Sequence, residues 1–230
     1  MQTLLKNNRF RLKPHEVAAL KKMRESETRN ILVIGDLHEP FCLDGYLDWC
    51  LEQYEAFNCN QVIFIGDIID AHGFSYHEPD PDGMSSGLEL ETAIKKIAKW
   101  YEAFPEADVM IGNHDRMASR KAMSGGIPAA WIRSYNEVLG TPGWNWVESI
   151  IYDDVLFEHG EGGQAAAKAK NNLMSSVCGH THTLAYTQWF VGKRFKVFGM
   201  QVAKNFKKQS IGCSVVLNNG QLPINLLMPL

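Results

Sequence analysis

The chain contains no CxxC pair, no apolar run longer than a strand, no internal repeat and no low-complexity tract. Each absence narrows the field. The longest apolar stretches are far short of the ~20 residues a membrane-spanning helix needs. The first ten residues carry Lys6 and Arg9 and no apolar segment, so no secretory signal is expected. Five cysteines (Cys42, Cys50, Cys59, Cys178, Cys213) form an odd set without metal or disulfide spacing. They read as reduced thiols, and the expected setting is cytoplasmic. A basic excess is missing too: the formal net charge is -3. That argues against a nucleic-acid footprint spread over the whole surface, but not against a local basic patch. What remains is an ordinary globular composition, 45% hydrophobic and 21% charged over 230 residues, enough for one domain with a real core.

Residues 1–30 are polar and basic and read as an N-terminal appendage with a short helix after Pro14. The domain proper is expected over 31–230. Ile31-Leu32-Val33-Ile34 is a buried strand broken by Gly35-Asp36. Asp44 is placed to cap a helix with Leu47, Cys50, Leu51 and Tyr54 on one face. A strand Val62–Ile65 follows, again ending in Gly-Asp. A long loop, Ala71 to Ser86, leads to a helix bearing Ile94, Ile97, Ala98 and Tyr101 that stops before Pro105. Val109–Ile111 is a third strand. This alternation predicts parallel strands with crossover helices. The second half reads as a helical stretch over 128–139, then short strands at 150–152, 155–158, 176–178, 184–191, 194–198 and 213–217. Tight turns at Asp153-Asp154, Gly192-Lys193 and Asn218-Asn219-Gly220 suggest hairpins. Together these predict an α/β fold of two packed sheets with helices outside.

The strand ends carry the chemistry. Asp36-Leu37-His38 follows the first strand, and in extended chain residues two apart face the same side. By itself the triplet is equally a turn with a surface histidine. Gly66-Asp67-Ile68-Ile69-Asp70 ends the second strand, at the edge where α/β proteins place their sites. Gly112-Asn113-His114-Asp115 ends the third. Adjacent residues in extended chain point apart, which gives Asn113 and His114 different tasks. Glu158-His159-Gly160 and Gly179-His180-Thr181-His182 complete the set. Five of the eight histidines fall in these segments, whereas structural histidines would scatter. Asp, His and Asn without Cys form an N/O ligand set that suits Mn, Fe, Zn, Co or Ni without choosing among them.

In this order the motifs resemble those of the calcineurin-like metallophosphoesterase family, which reads DxH, GDxxD, GNHD or GNHE, an isolated His, then GHxH. The resemblance spans about residues 31–200. It implies a four-layer α/β/β/α sandwich with two packed mixed sheets, and a hydrolase with two divalent transition-metal ions, manganese being the leading expectation. One ion resembles a site of Asp36, His38, Asp67 and His182. The other resembles a site of Asp67, Asn113, His159 and His180, so that Asp67 bridges. His114 matches the family's general acid, and Asp70 the aspartate that orients it. The implied substrate is a phosphate ester. A phosphodiester in a nucleotide or nucleic acid is the first reading, a phosphomonoester on a nucleotide end or phosphoprotein the second, and a non-catalytic binding module of the same fold a distant third. The phosphoprotein reading is weakened because the GDxxDRG pattern is broken here: Ala71-His72-Gly73 follows Asp70, without the arginine, and the third motif ends in Asp115. His72 and His77 lie in the long loop beside the expected site, where substrate contact and plain exposure are both open. Arg116, Arg120 and Lys121 face phosphate or solvent equally well. The stretch Trp189-Phe190…Lys193-Arg194-Phe195-Lys196 is read as a plain hairpin rather than a nucleic-acid surface.

Overall fold

The computed structural model describes residues 13, 14, 17, 28–76, 78, 80–193, 196–202 and 211–229. The expected N-terminal helix lies largely outside them. Within it, the Val17 N–H donates to the Lys13 carbonyl at 3.0 Å. Residues 28–30 already belong to the folded body: the Arg29 N–H donates to Asn219 Oδ1 at 2.6 Å, and the Asn30 N–H to Asn60 Oδ1 at 3.0 Å.

Two mixed sheets pack face to face. The first has strand order β11-β10-β1-β2-β3-β4. Its strands are β1 (Ile31–Ile34), β2 (Gln61–Phe64), β3 (Ala107–Met110), β4 (Trp144–Val147), β10 (Gly212–Leu217) and β11 (Leu222–Leu227). The second has order β5-β6-β7-β9-β8, from β5 (Ser149–Tyr152), β6 (Val155–Glu158), β7 (Ser175–Cys178), β8 (Tyr186–Val191) and β9 (Lys196–Gln201). Five α-helices lie among the described residues: α1 (Tyr46–Ala56), α2 (Ser86–Ala103), α3 (Met117–Ser124), α4 (Tyr135–Leu139) and α5 (Ala165–Asn172). β1, β2, β3 and β4 are parallel in turn, as are β6, β7 and β9.

Strand alternation explains the layers. In β1 every residue is buried, yet Leu32 and Ile34 join the core under α1 and α2, while Ile31 and Val33 join the core between the sheets. Side chains alternate across a strand, so a continuous apolar run serves two cores at once. The helix-side core centres on Phe64, whose ring centroid is 4.8 Å from that of Trp144 and 5.8 Å from that of Trp100. The inter-sheet core is aliphatic around Phe157, Phe198 and Met200. On the outer face of the second sheet, α5 buries Ala165 and Ala169 against β9. That approach depends on Gly199, where a Cβ would come 2.6 Å from the helix backbone. Among the described residues no helix is long and apolar enough to cross a membrane.

Several boundaries differ from expectation. Gly45, with φ 84°, is the N-cap of α1 and no side chain caps it, so Asp44 does not. The expected 128–139 helix splits into a 3₁₀ turn at Ala129–Trp131 and the short α4, which Ser134 and Glu137 start with a reciprocal capping box. β4, α5 and β11 were not expected. β11 contains Pro223, which suggests a break, but an edge strand needs no donor on its open side. The 194–198 strand begins at Lys196 and runs on to Gln201; Arg194 and Phe195 lie outside the described residues. The turn signals match the hairpins: Asp153, Asp154, Asn218 and Asn219 all adopt positive φ, which Asp and Asn tolerate best after Gly.

Candidate active site

The five motifs meet at the carboxyl ends of β1, β2, β3, β6 and β7, where the two sheets face each other. Hydrogen bonds join the sheets there. His159 Nδ1 donates to the Ile65 carbonyl at 2.9 Å, and the His180 N–H donates to Asp36 Oδ2 at 3.0 Å. A carbonyl only accepts, so Nδ1 carries hydrogen and Nε2 is the ring nitrogen that points inward, toward Asp67. Gly66, at φ 105°, makes room for this ring, since a Cβ there would sit 2.5 Å from His159 Nδ1.

Asp67 is the hub. Its Oδ1 accepts the His114 N–H at 2.9 Å. Its Oδ2 stands 3.1 Å from His159 Nε2 and 3.7 Å from His38 Nε2. Asn113 Oδ1 approaches the same His159 nitrogen at 3.0 Å. On the other flank, His182 Nε2 lies 3.5 Å from Asp36 Oδ2, and the ring centroids of His38 and His182 are 5.1 Å apart. Ligand-type atoms converge in two groups that share Asp67: His38, Asp67 and His114, and Asp67, His159 and His180. Within each, the atoms lie within 4.8 Å of one another.

All seven expected metal-ligand residues are therefore gathered in one place, but the route is not the expected one. Asp36 and His38 do not converge by strand alternation. The chain has left the strand, and His38 turns left-handed at φ 50° while its N–H donates to the Asp67 carbonyl at 2.9 Å. Asp67 and His180 are left-handed too, at φ 51° and 67°. Such backbone costs of order 1–3 kcal/mol per residue and gathers at functional sites. Asn113 and His114 likewise sit in a turn. His114, expected as the acid and not as a ligand, falls in one group with His38 and Asp67.

Asp70 departs most from expectation. Its carboxylate accepts from His38 Nδ1 at 2.7 Å. His114 Nδ1 meets the Asp70 backbone carbonyl instead. Asp70 thus holds His114 through the main chain and His38 through the side chain, because the turn after β2 aims the carbonyl, not the carboxylate, at His114.

The electrostatics ask for positive charge. Burial pushes the Asp36 carboxyl up to about 6, with Asp67 adding repulsion and His159 and His38 opposing it. Burial opposes ionisation of Asp67 as well, but His159, His38 and His114 outweigh it and lower its pKa. The two differ because Asp67 touches His159 directly, whereas Asp36 Oδ1 is 3.5 Å from it. Burial disfavours the charged form of His159, yet Asp67 and Asp36 raise its pKa to about 10. Burial, then His159, lowers that of His180. Among the described residues, Asp36 Oδ1 and Asp67 Oδ2 are buried carboxylate oxygens that accept no hydrogen bond of normal geometry. Paired buried carboxylates ringed by imidazoles whose ring nitrogens point inward fit divalent cations.

Two supporting residues escaped sequence reasoning. Asp115, 1% exposed, accepts N–H groups from Ile68 (3.0 Å), Ile69 (3.3 Å) and Gly112 (2.9 Å), pinning the second motif to the third. Burial, then Asp67, holds its carboxyl at about 6. Glu89, in the first turn of α2, accepts the His72 N–H on Oε1 at 2.8 Å and the Gly73 N–H on Oε2 at 2.7 Å. It ties the start of the long loop to the helix that follows it. Its only sequence signal, an acid soon after the capping Ser85, is common to many helices. His72 lies half-buried in this clamped turn, and His77 lies outside the described residues. Arg116 bridges to Glu148 and Glu161. With Arg120 and His159 it lines an open cleft of about 500 Å³. In the β8–β9 hairpin, Lys196 Nζ lies 4.5 Å above the Trp189 ring.

The family model for calcineurin-like phosphoesterases matches residues 29–185. The chain belongs to that family. It is thus a member of a family of metal-dependent phosphoesterases, and its clustered Asp and His side chains are candidate metal ligands. A search of curated proteins finds no match. Among solved structures, the chain is similar to a novel archaeal phosphodiesterase, at 15% identity and TM-score 0.50, over 86% of this chain and 99% of that one. It also resembles vacuolar protein sorting 29 from Cryptosporidium parvum, at 12% identity and TM-score 0.46, over 85% and 88%. A third is the Pseudomonas putida nuclease MPE, at 15% identity and TM-score 0.40, over 84% and 87%. At 15% identity the likeness to the archaeal phosphodiesterase concerns the fold.

Proposed function

We propose that this family member is a dinuclear metal-dependent phosphodiesterase acting on a nucleotide or nucleic acid in the reducing setting of the cytoplasm. The observation that carries the dinuclear reading is the position of Asp67: it is the one carboxylate common to both groups of convergent ligand atoms among the described residues. In this reading Asp36, His38, Asp67 and His182 hold one ion, Asp67, Asn113, His159 and His180 the other, and manganese is the preferred metal. Bound there, the ions supply Lewis-acid charge against the phosphoryl oxygens and acidify bound water. His114 keeps hydrogen on Nδ1 against the Asp70 carbonyl, which leaves Nε2 to give a proton to the departing oxygen. The Asp70 carboxylate fixes the His38 ring, so that its Nε2 faces Asp67. A diester is favoured over a monoester because the cleft beside His159 is open, about 500 Å³ in volume, and has Arg116 and Arg120 on its wall. Five buried cysteines, none in a disulfide, accord with a reducing compartment.

Asp67→Ala tests the bridge. Elemental analysis is expected to show loss of both ions, whereas His38→Ala and His159→Ala each weaken one more than the other. Full metal content in Asp67→Ala refutes the bridging role. Bis-p-nitrophenyl phosphate turned over faster than p-nitrophenyl phosphate is the outcome expected of a diesterase, and the reverse order makes it a monoesterase.

A further inference from the structure

α3 follows directly on the Asn113–Asp115 turn and carries charge of one sign. Between His114 and Ser134 the charged residues are Arg116, Arg120, Lys121, Arg133 and a single acid, Asp115, which is buried and committed to backbone N–H groups. This segment stands apart in a chain of net charge -3. Arg116 is occupied by two glutamates. Among the described residues, no carboxylate lies within ion-pair distance of Arg120 or Lys121. Both cations rest instead on the ring of Tyr76, the Arg120 Cζ 5.3 Å and the Lys121 Nζ 4.2 Å from its centroid. Tyr76 is 56% exposed and sits in the loop that leaves Asp70. Arg120 also lines the cleft that His159 lines, so this cation joins the Tyr76 ring to the catalytic edge. Beyond α3, the 3₁₀ turn packed against it presents Trp131, 82% exposed. Apolar side chains scattered singly on a surface need no explanation. Here an exposed ring that carries two cations without carboxylate partners stands beside the metal-ligand cluster, and the turn packed on the same helix presents a second exposed ring.

We propose that this surface is a track for single-stranded nucleic acid: Arg120 and Lys121 meet backbone phosphates, and Tyr76 and Trp131 are platforms for unstacked bases. The inference rests on the phosphodiesterase reading above and names its substrate class. Charge complementarity selects the occupant. Repeated cations match a repeated phosphate, and exposed rings match bases whose faces are open, which a duplex hides. An acidic peptide uses the cations but leaves the rings idle.

The test is equilibrium binding by full-length, metal-loaded protein of a fluorescein-labelled phosphorothioate oligothymidylate, which keeps the backbone charge and resists cleavage. Anisotropy is expected to show affinity falling steeply between about 50 and 200 mM salt. The double variant Arg120→Gln/Lys121→Gln lowers the log–log salt slope by about 1–2, near 0.7 for each phosphate that is no longer neutralised. Trp131→Ala and Tyr76→Ala each weaken binding by about 5- to 100-fold with the slope retained. All four side chains are at the surface, and circular dichroism checks that the variants stay folded. The proposal is overturned if the wild type binds oligothymidylate no tighter than a blunt duplex, if the variants bind like the wild type, or if oligoglutamate of equal charge displaces the probe as well as unlabelled oligothymidylate does. Turnover of bis-p-nitrophenyl phosphate by the wild type is read separately. Turnover without oligothymidylate binding removes the track and keeps the phosphodiesterase reading, whereas binding without turnover keeps the track and removes that reading.

Discussion

Replacing Glu89 by alanine strands two backbone donors at once. Its carboxylate is 3% exposed and takes the N–H groups of His72 and Gly73 at 2.8 and 2.7 Å. A hydrogen bond to a charged group contributes about 1.5–3 kcal/mol. Both donors belong to half-buried residues, so water recovers part of the loss, and the expected destabilisation is about 2–4 kcal/mol. Glu89→Gln keeps one acceptor oxygen and turns an NH₂ group toward the second N–H, so it loses about half as much. Urea unfolding reads this as a lower midpoint at unchanged slope. The clamp holds the turn that follows Asp70 but supplies no ligand atom. Metal content is therefore expected to stay at the wild-type level, while kcat/KM for a diester falls about tenfold, equivalent to about 1.4 kcal/mol of transition-state stabilisation. An alanine variant within about 0.5 kcal/mol of wild type, the scale of an ordinary surface change, refutes the reasoning. So does a glutamine variant as damaged as the alanine one.

His114→Ala is expected to keep its metal and slow hydrolysis of esters with poor leaving groups by about 10²–10⁴-fold, the scale of a positioned acid, with nitrophenyl esters affected less. Equal losses on both with metal retained would make His114 an electrostatic anchor for the phosphoryl oxygens, and loss of metal would place it among the ligands, as its closeness to His38 and Asp67 allows. Asp115→Ala leaves three N–H groups without an acceptor, two of them buried. At about 1–3 kcal/mol per stranded donor the cost is expected to reach about 3–5 kcal/mol, read by urea unfolding, with weakened metal retention as the two motif loops come apart. Phe64→Ala empties the centre of the helix-side core and is expected to cost about 3–5 kcal/mol in the same assay without changing the relative rates on different esters.

The candidate site residues were legible because short local segments carry them. Gly35-Asp36, Gly66-Asp67 and Gly112-Asn113 each close an apolar run, and a run of that length ending in glycine reads as a strand and its edge. The hairpin turns were legible for the same reason, since Asp153-Asp154 and Asn218-Asn219 carry their positive φ in their own residue types. β4, α5 and β11 were missed because their reasons are not local. Trp144 looks like an isolated aromatic until β3 pairs beside it. The alanines of α5 have a weak apolar signal until Gly199 lets the helix touch the sheet. Pro223 looks like a breaker until β11 turns out to be an edge.

The sequence by itself determined which residue types stand at the ends of five strands, and through them the family, the α/β class and the set of donors. Those are properties of short segments, where spacing and composition act directly. Which donors share an atom's reach was decided only by the tertiary structure. Asp67 stands between His38 and His159, residues far apart in the chain, because two sheets bring their carboxyl edges together. The Asp70 carboxylate serves His38 and its carbonyl serves His114 because a left-handed residue, Ala71 at φ 55°, follows at the turn into a loop that Glu89 then clamps. Distances of about 3 Å between remote residues, the length of a hydrogen bond, depend on how whole sheets pack, and no window of sequence contains that packing.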